Sequence, residues 1–334
     1  MSDSSSTSAG DEKRFDVVCV GNAIVDVLTE AEDNFLERFG LVKGTMDLVE
    51  TARAEEIYNA MEERIEASGG SAANSAAGLA SLGADVAFIG KVRNDALGDL
   101  YAADMAKVGV HFDTPRATEG APTARSMIIV TPDAERTMNT YLGAASVMPS
   151  EDLSDDTLTD ASVVYCEGYL WDMPESKEAI SKAMELTRAA GGRAAFTLSD
   201  TFCVDRHRDE FTSLIPERVD ILFANEEEIK SMFETEDLDE ALSKVGGLCP
   251  VTVVTLGAEG SVVVSEEGIQ RVAASPVDSV VDTTGAGDLF AAGFLYGLTH
   301  GMSMVESAEL GGKTAAECIQ TIGPRPARDL ATLL

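Results

Sequence analysis

Residues 282–294 read DTTGAGDLFAAGF. Leu289, Phe290, Phe294 and Leu295 recur at helical spacing, so a buried helix begins here. A helix that serves only the core needs one capping residue. This one opens with two threonines, two glycines and an acid. The first N–H groups of a helix have no internal partner and carry the positive end of the dipole. Glycines let that backbone approach a ligand closely. Gly285, Ala286 and Gly287 therefore suit a nest for a phosphate. Asp288 has two readings. It is a dipole-stabilising acid in a first turn, or it takes a proton from a hydroxyl that attacks a phosphoryl group.

Three further constellations carry chemistry. In SGGSAANSAAGLASLGADVAFIG (68–90), Gly69 and Gly70 lead into an alanine-lined helix with Asn74 near its start. Asn74 is a cap, or a donor to substrate hydroxyls above the strand ends, where open α/β sheets bind ligands. In VGNAIVDV (20–27), Asn22 and Asp26 follow a strand. Asp26 is a solvated loop acid, or it accepts two hydrogen bonds from a vicinal diol. In FANEEEIKSMF (223–233), Asn225 and Glu228 share a helical face. They form a capping pair, or they organise a hydrated Mg2+ beside a triphosphate. GGKT (311–314) imitates the end of a P-loop, but Ser307 stands where that motif needs glycine.

These groups need a scaffold. The chain has 334 residues, 45% of them hydrophobic, enough for a sizeable core. Six short apolar runs (15–21, 85–90, 162–168, 194–199, 220–225 and 251–257) alternate with helix-like segments at 73–82, 95–108, 175–190, 226–233 and 238–246. That alternation predicts a mainly parallel sheet covered on both faces. GSVVVSEEGIQRVAA reads as a hairpin, followed by helices over 286–299 and 303–320. Residues 25–50 and 111–143 break the alternation and read as strands of a small β lid, with Pro132-Asp133 marking a turn.

The formal charge of −33 makes nucleic acid or an anionic membrane surface a poor partner. It suits a salty cytosol, or is simply an acidic surface. Five scattered cysteines and three distant histidines offer no disulfide framework, zinc site or evident triad. No apolar run is long enough to span a membrane, and the polar residues 1–14 read as a disordered tail without a signal peptide's apolar core. A cytoplasmic protein, monomeric or a homodimer, is expected.

Together these pieces resemble the ribokinase-like (PfkB-type) family of carbohydrate kinases, from about residue 15 to 325. GGSAANSAAGLASLGADVAFIGKVRNDALG is similar to its N-terminal signature and DTTGAGDLFAAGFLYGL to its C-terminal one. NEEE matches the N-x-x-E pattern, and GNAIVD and ERTMNTYLGAA resemble the adenosine kinase branch. The resemblance implies a three-layer α/β/α core formed by 15–24, 51–110 and 144–334, with 25–50 and 111–143 as the lid. It implies transfer of the ATP γ-phosphoryl group to the 5′-hydroxyl of adenosine, with Asp288 as base and Gly285, Ala286 and Gly287 as anion hole. Asp26, Gly70 and Asn74 would hold the ribose, with Asn22 nearby, and Arg136 would approach the phosphates. Met46, Met138, Leu142, Tyr169, Leu170 and Trp171 would wall the base. Asn225, Thr255, Gly257 and Gly260 would serve the nucleotide, and Glu228 would reach Mg2+ through water. Asp282 and Thr284 would belong to a monovalent-cation site, for K+.

Two departures bear on this. FTLSD carries Thr197 where adenosine kinases of the family carry Asn, and the lid, which selects the acceptor, matches only loosely. Rival readings are a sugar kinase of ribokinase or fructokinase type, a broader nucleoside kinase, and a non-catalytic nucleoside sensor. A dinucleotide oxidoreductase is disfavoured, because GNAIVD replaces G-x-G-x-x-G after the first strand.

Overall fold

A computed structural model describes residues 13–133, 135–325 and 328–334. The expected tail lies outside these residues up to position 12. The chain runs through β1 (Phe15–Val20), β2 (Ile24–Glu30), α1 (Asp33–Phe39), β3 (Met46–Leu48), α2 (Thr51–Ala60) and β4 (Ile65–Gly69). It continues through α3 (Ser71–Leu82), β5 (Val86–Ile89), α4 (Ala96–Lys107), β6 (Ala124–Val130), β7 (Arg136–Tyr141), α5 (Asp155–Thr159) and β8 (Ala161–Glu167). Next come α6 (Pro174–Ala189), β9 (Arg193–Thr197), α7 (Thr201–Arg218), β10 (Ile221–Asn225), α8 (Glu226–Phe233) and α9 (Leu238–Val245). Then β11 (Val251–Thr255), β12 (Ser261–Ser265), β13 (Gly268–Val272), α10 (Ala286–Thr299) and α11 (Met304–Cys318) complete it.

The larger sheet has the order β13-β12-β11-β10-β9-β8-β1-β5. Pairing is parallel from β5 to β11, and the predicted hairpin β12–β13 adds an antiparallel edge. Successive strand residues face opposite sides. Val17 and Cys19 of β1 thus enter one core with α3 and α10, while Val18 and Val20 enter another with α6 and α7. Small residues set the first of these layers. A β-carbon at Gly78 of α3 would lie 2.6 Å from Leu289 Cδ1 and 2.9 Å from the Ala292 β-carbon of α10. The two helices therefore nearly touch, and their N-termini come together.

The second sheet has the order β3-β7-β6-β2-β4. One face is apolar: Val25, Val27, Met127 and Ile129 pack with Leu36, Phe39 and Ile57 of α1 and α2. The alternate residues Ile24, Asp26, Met46, Leu48, Ser126, Ile128, Arg136, Met138 and Thr140 all line one cavity.

Several features differ from the sequence reading: α1 lies inside residues 25–50, read as strands, and α2 has no counterpart among the expected helices. Residues 51–110, expected in the core, contribute β4 to the second sheet, where it pairs antiparallel with β2. IEASG is short and not apolar, so no strand signal marks it. Helix α7 also has no counterpart in the expected elements. Its eighteen residues are mostly polar, carry Pro216 and kink at His207 (φ −123°, ψ 16°), while Cys203, Val204, Phe211, Leu214 and Ile215 are buried. Among the described residues no helix is long and apolar enough to cross a membrane.

Candidate active site

The cavity between the two sheets has a volume of about 700 Å3, within the range of small-molecule sites. Its floor is made by the ends of β1, β8, β9 and β10 and by the start of α10. Gly285 caps α10 with φ 79°, and a β-carbon there would lie 2.6 Å from Pro324 Cα. Only glycine fits that turn. A β-carbon at Gly287 would meet nothing within 4 Å, so the first helical turn opens onto empty space. Gly285, Ala286, Gly287 and Asp288 all line it.

Asp288 is fixed by α3. The Ser71 hydroxyl donates to its Oδ1 at 2.6 Å and the Asn74 amide to its Oδ2 at 3.0 Å. Ser75 donates to its backbone carbonyl at 3.0 Å. Burial pushes the Asp288 carboxyl up to about 6, moderated by the Ser71 and Asn74 hydrogen bonds and the Arg325 charge. Each oxygen still has a lone pair to spare. Asn74 Oδ1 is buried without a partner among the described residues and is available to a ligand.

Asp26 is half-buried by its surface, and desolvation pushes its carboxyl up to about 6; Arg325 and Arg136 oppose the shift and Asp288 adds to it. A β-carbon at Gly69 would lie 2.4 Å from Asp26 Oδ2, so glycine there makes room for the carboxylate. Gly70 has φ 102° and faces the Asn22 carbonyl.

Asn22 lines the cavity, but its side-chain N–H and backbone N–H both donate to Glu167 Oε1 at 2.7 Å. Ala72 N–H donates to Glu167 Oε2 at 2.9 Å. Glu167 thus ties the β1 loop to the start of α3. Burial drives its carboxyl up to about 7 despite these donors, with Asp288 adding to the shift. The sequence reading missed Glu167; its signal is an acid closing the apolar strand ASVVYCE.

Met46, Met138, Leu142 and Tyr169 line the apolar side with Leu48 and Ile128. Leu170 and Trp171, expected as walls, are instead buried in the core, where Trp171 packs edge-on to Phe196 and Phe211. A short 3-10 turn over Gly168–Asp172 rotates them inward. Phe202, unmarked in the sequence reading, lines the cavity with 72% of its surface exposed. Its signal is an aromatic residue two places after Asp200, the cap of α7. Thr197, Ser199 and Asp200 line the same region, and Ser199 holds φ 74°, a strained value for a residue with a side chain.

Asn225, Glu228 and Thr255, expected on the nucleotide side, also line the cavity. Asn225 and Glu228 form a full capping box: Glu228 N–H donates to Asn225 Oδ1 at 2.8 Å, and Asn225 N–H donates to Glu228 Oε2 at 3.0 Å. Burial pushes Glu228 up to about 7, eased by the Asn225 backbone and reinforced by Asp200. Gly257 and Gly260 are not among the lining residues. They turn the chain between β11 and β12: their φ values are 58° and 97°, and a β-carbon at Gly260 would lie 2.1 Å from the Val272 carbonyl. Thr284 lines the cavity and Asp282 does not; both bind Arg136, which does.

Among the described residues, no three His, Cys, Asp or Glu side chains cluster as a metal cage. An Mg2+ that keeps its waters on a nucleotide's phosphates needs none. The oxygens of Glu228 and Asp200, which line the same cavity as the nest, fit that mode of binding.

The profile described as pfkB family carbohydrate kinase matches residues 33–330. An adenosine kinase of Schizophyllum commune is 30% identical, over 93% of this chain and 96% of its own. The crystal structure of adenosine kinase from Sinorhizobium meliloti is 50% identical with a TM-score of 0.88, covering 96% of this chain and 98% of its own. A probable sugar kinase from Rhizobium etli CFN 42 is 46% identical with a TM-score of 0.89, at the same coverage.

Proposed function

The chain belongs to the pfkB family of carbohydrate kinases, and from that premise we propose that it transfers the γ-phosphoryl group of ATP to the 5′-hydroxyl of adenosine. It is a phosphotransferase with an alcohol acceptor, a sugar or nucleoside kinase. The choice of a nucleoside rests on one observation. The cavity has a carboxylate and amide cluster (Asp26 of β2, Asn74, Asp288) and an apolar wall (Met46, Leu48, Ile128, Met138, Leu142) with the rings of Tyr169 and Phe202. A ribose matches the polar cluster and a purine matches the wall; a free sugar would leave the wall unmatched.

In this reading the second sheet is the lid. Asp26 accepts hydrogen bonds from the ribose diol, and Asn74 Oδ1 accepts another. The 5′-hydroxyl then stands beside Asp288, held in place by Ser71 and Asn74. Asp288 takes the hydroxyl proton as the new O–P bond forms, and the bond from the γ-phosphorus to the bridging oxygen breaks, leaving ADP. With its carboxyl near 6, Asp288 is mostly ionised at neutral pH and still a useful base. The amides of the first α10 turn and the Arg136 guanidinium stabilise the charge on the transferring group. Mg2+, when bound with the nucleotide, supplies charge neutralisation across the phosphates. The lid excludes water, which otherwise competes as acceptor.

The test is an acceptor screen read by coupled ADP release, with adenosine, other nucleosides, ribose and fructose. Adenosine should give the highest kcat/KM. A free sugar that exceeds it would return the site to a sugar kinase, the class named for the Rhizobium etli relative.

A further inference from the structure

The two side chains that the family resemblance assigns to a monovalent cation are already engaged. Asp282 Oδ2 accepts from the Arg136 guanidinium and from Gly323 N–H at 2.8 Å. Its Oδ1 accepts from Thr284 N–H at 2.9 Å. The same Arg136 nitrogen reaches Thr284 Oγ1 at 3.3 Å. The side chains of Arg136 and Asp282 are only 12% and 9% exposed, so water screens this pair weakly. The Cys318 thiol lies 3.5 Å from the Thr284 carbonyl oxygen and 3.9 Å from that of Gly323.

A bound K+ replaces its hydration shell with a ring of oxygens. Here that ring would include a carboxylate already carrying a guanidinium, so K+ would face a like charge and displace a largely buried ion pair. The donor set does not fit. What it does hold is a fixed positive charge on the turn that precedes Gly285. Arg136 comes from β7 of the second sheet, whereas Asp282 and Thr284 precede α10, so the guanidinium pins the turn across the cavity. Arg136 Nε remains buried without a partner among the described residues, leaving a donor for an anion in the cavity that Arg136 lines.

We infer that the Arg136 guanidinium takes the place of a monovalent cation at Asp282 and Thr284, so that phosphoryl transfer by this chain does not require K+. The inference rests on the phosphotransferase chemistry of the site and not on the identity of the acceptor. The charge of −33 means that any salt alters stability by screening, so K+ must be compared with tetramethylammonium at equal ionic strength. Wild type should show kcat/KM within about twofold between the two salts. Its melting temperature, measured without acceptor or ATP, should be the same in both. Arg136→Met vacates Asp282 and Thr284 and should gain a K+-specific rise of about 2 °C or more. Arg136→Lys retains a cation and should remain insensitive. K+ activation of wild type by about tenfold, or a K+-specific rise in its melting temperature, would overturn the inference. So would Arg136→Met that folds and gains no K+ response, because the place Arg136 fills would then not be a cation site. The melting arm uses no acceptor, so an error in the adenosine assignment leaves its outcome readable.

Discussion

The Ser71 hydroxyl donates a 2.6 Å hydrogen bond to Asp288 across 217 residues of sequence. Two helix starts, each preceded by glycine, meet at this bond: Gly70 before α3 and Gly285 before α10. Ser71 thereby aims the carboxylate and favours its ionised form.

Asp288→Asn should keep the fold, since asparagine can accept from Ser71 and occupy nearly the same volume. It should lower kcat by about 10²–10⁴, the usual range for a lost general base. Affinity for ATP, measured by calorimetry, should stay close to that of wild type. Near-normal turnover would remove Asp288 from the role of base.

The acid limb of kcat/KM should lie near pH 6, because burial pushes Asp288 up to about 6 and the base works only when ionised. Ser71→Ala removes a hydrogen bond to the charged form, so the limb should move to higher pH. A merely structural Ser71 would lower the plateau and leave the limb where it is.

Phe202 is 72% exposed, so its ring contributes little to the core. Phe202→Ala should leave the melting temperature unchanged. It should raise KM for the nucleoside by about tenfold, as base–aromatic stacking is worth about 1–3 kcal/mol. KM for ATP should not change. Equal losses for nucleoside and free-sugar acceptors would show that the ring does not read a base.

Stability should fall as pH rises from about 5 to 8. Burial raises the carboxyls of Asp26 and Asp288 to about 6, and those of Glu167 and Glu228 to about 7. Unfolded, such groups titrate near 4, so the folded state binds more protons between about pH 4 and 7. Their contribution is fully present below the unfolded value and is lost as pH climbs through the folded ones. Asp95, Asp104, Asp172 and Asp282 are shifted downward, and what they contribute is lost only under more acidic conditions. A melting temperature higher at pH 8 than at pH 5.5 would contradict this balance.

Much of the site was legible in the sequence. Gly285–Asp288, Asp26, Gly70, Asn74, Arg136, Met46 and Met138 were identified from motifs or from the family resemblance, and all line one cavity. Other positions were ambiguous because one pattern serves two purposes. N-x-x-E is both a capping box and a metal-site pattern, and the capping box is present. TLGAEG supplies glycines to a turn as readily as to a ligand, and Gly257 and Gly260 serve the turn.

The sequence by itself determined the alternation of the main strands and helices, the two-faced core and the helix start with its glycines and acid. These follow from short-range rules: apolar periodicity, turn residues, and the open N–H groups of a first turn. Tertiary structure alone decided which partners meet. Ser71 on Asp288, Glu167 on Asn22 and Ala72, and Arg136 on Asp282 join residues 95 to 217 positions apart. No local pattern encodes such pairs. They exist because close helix packing and the placement of the second sheet bring distant polar groups into a volume from which water is largely excluded, where each must find a partner.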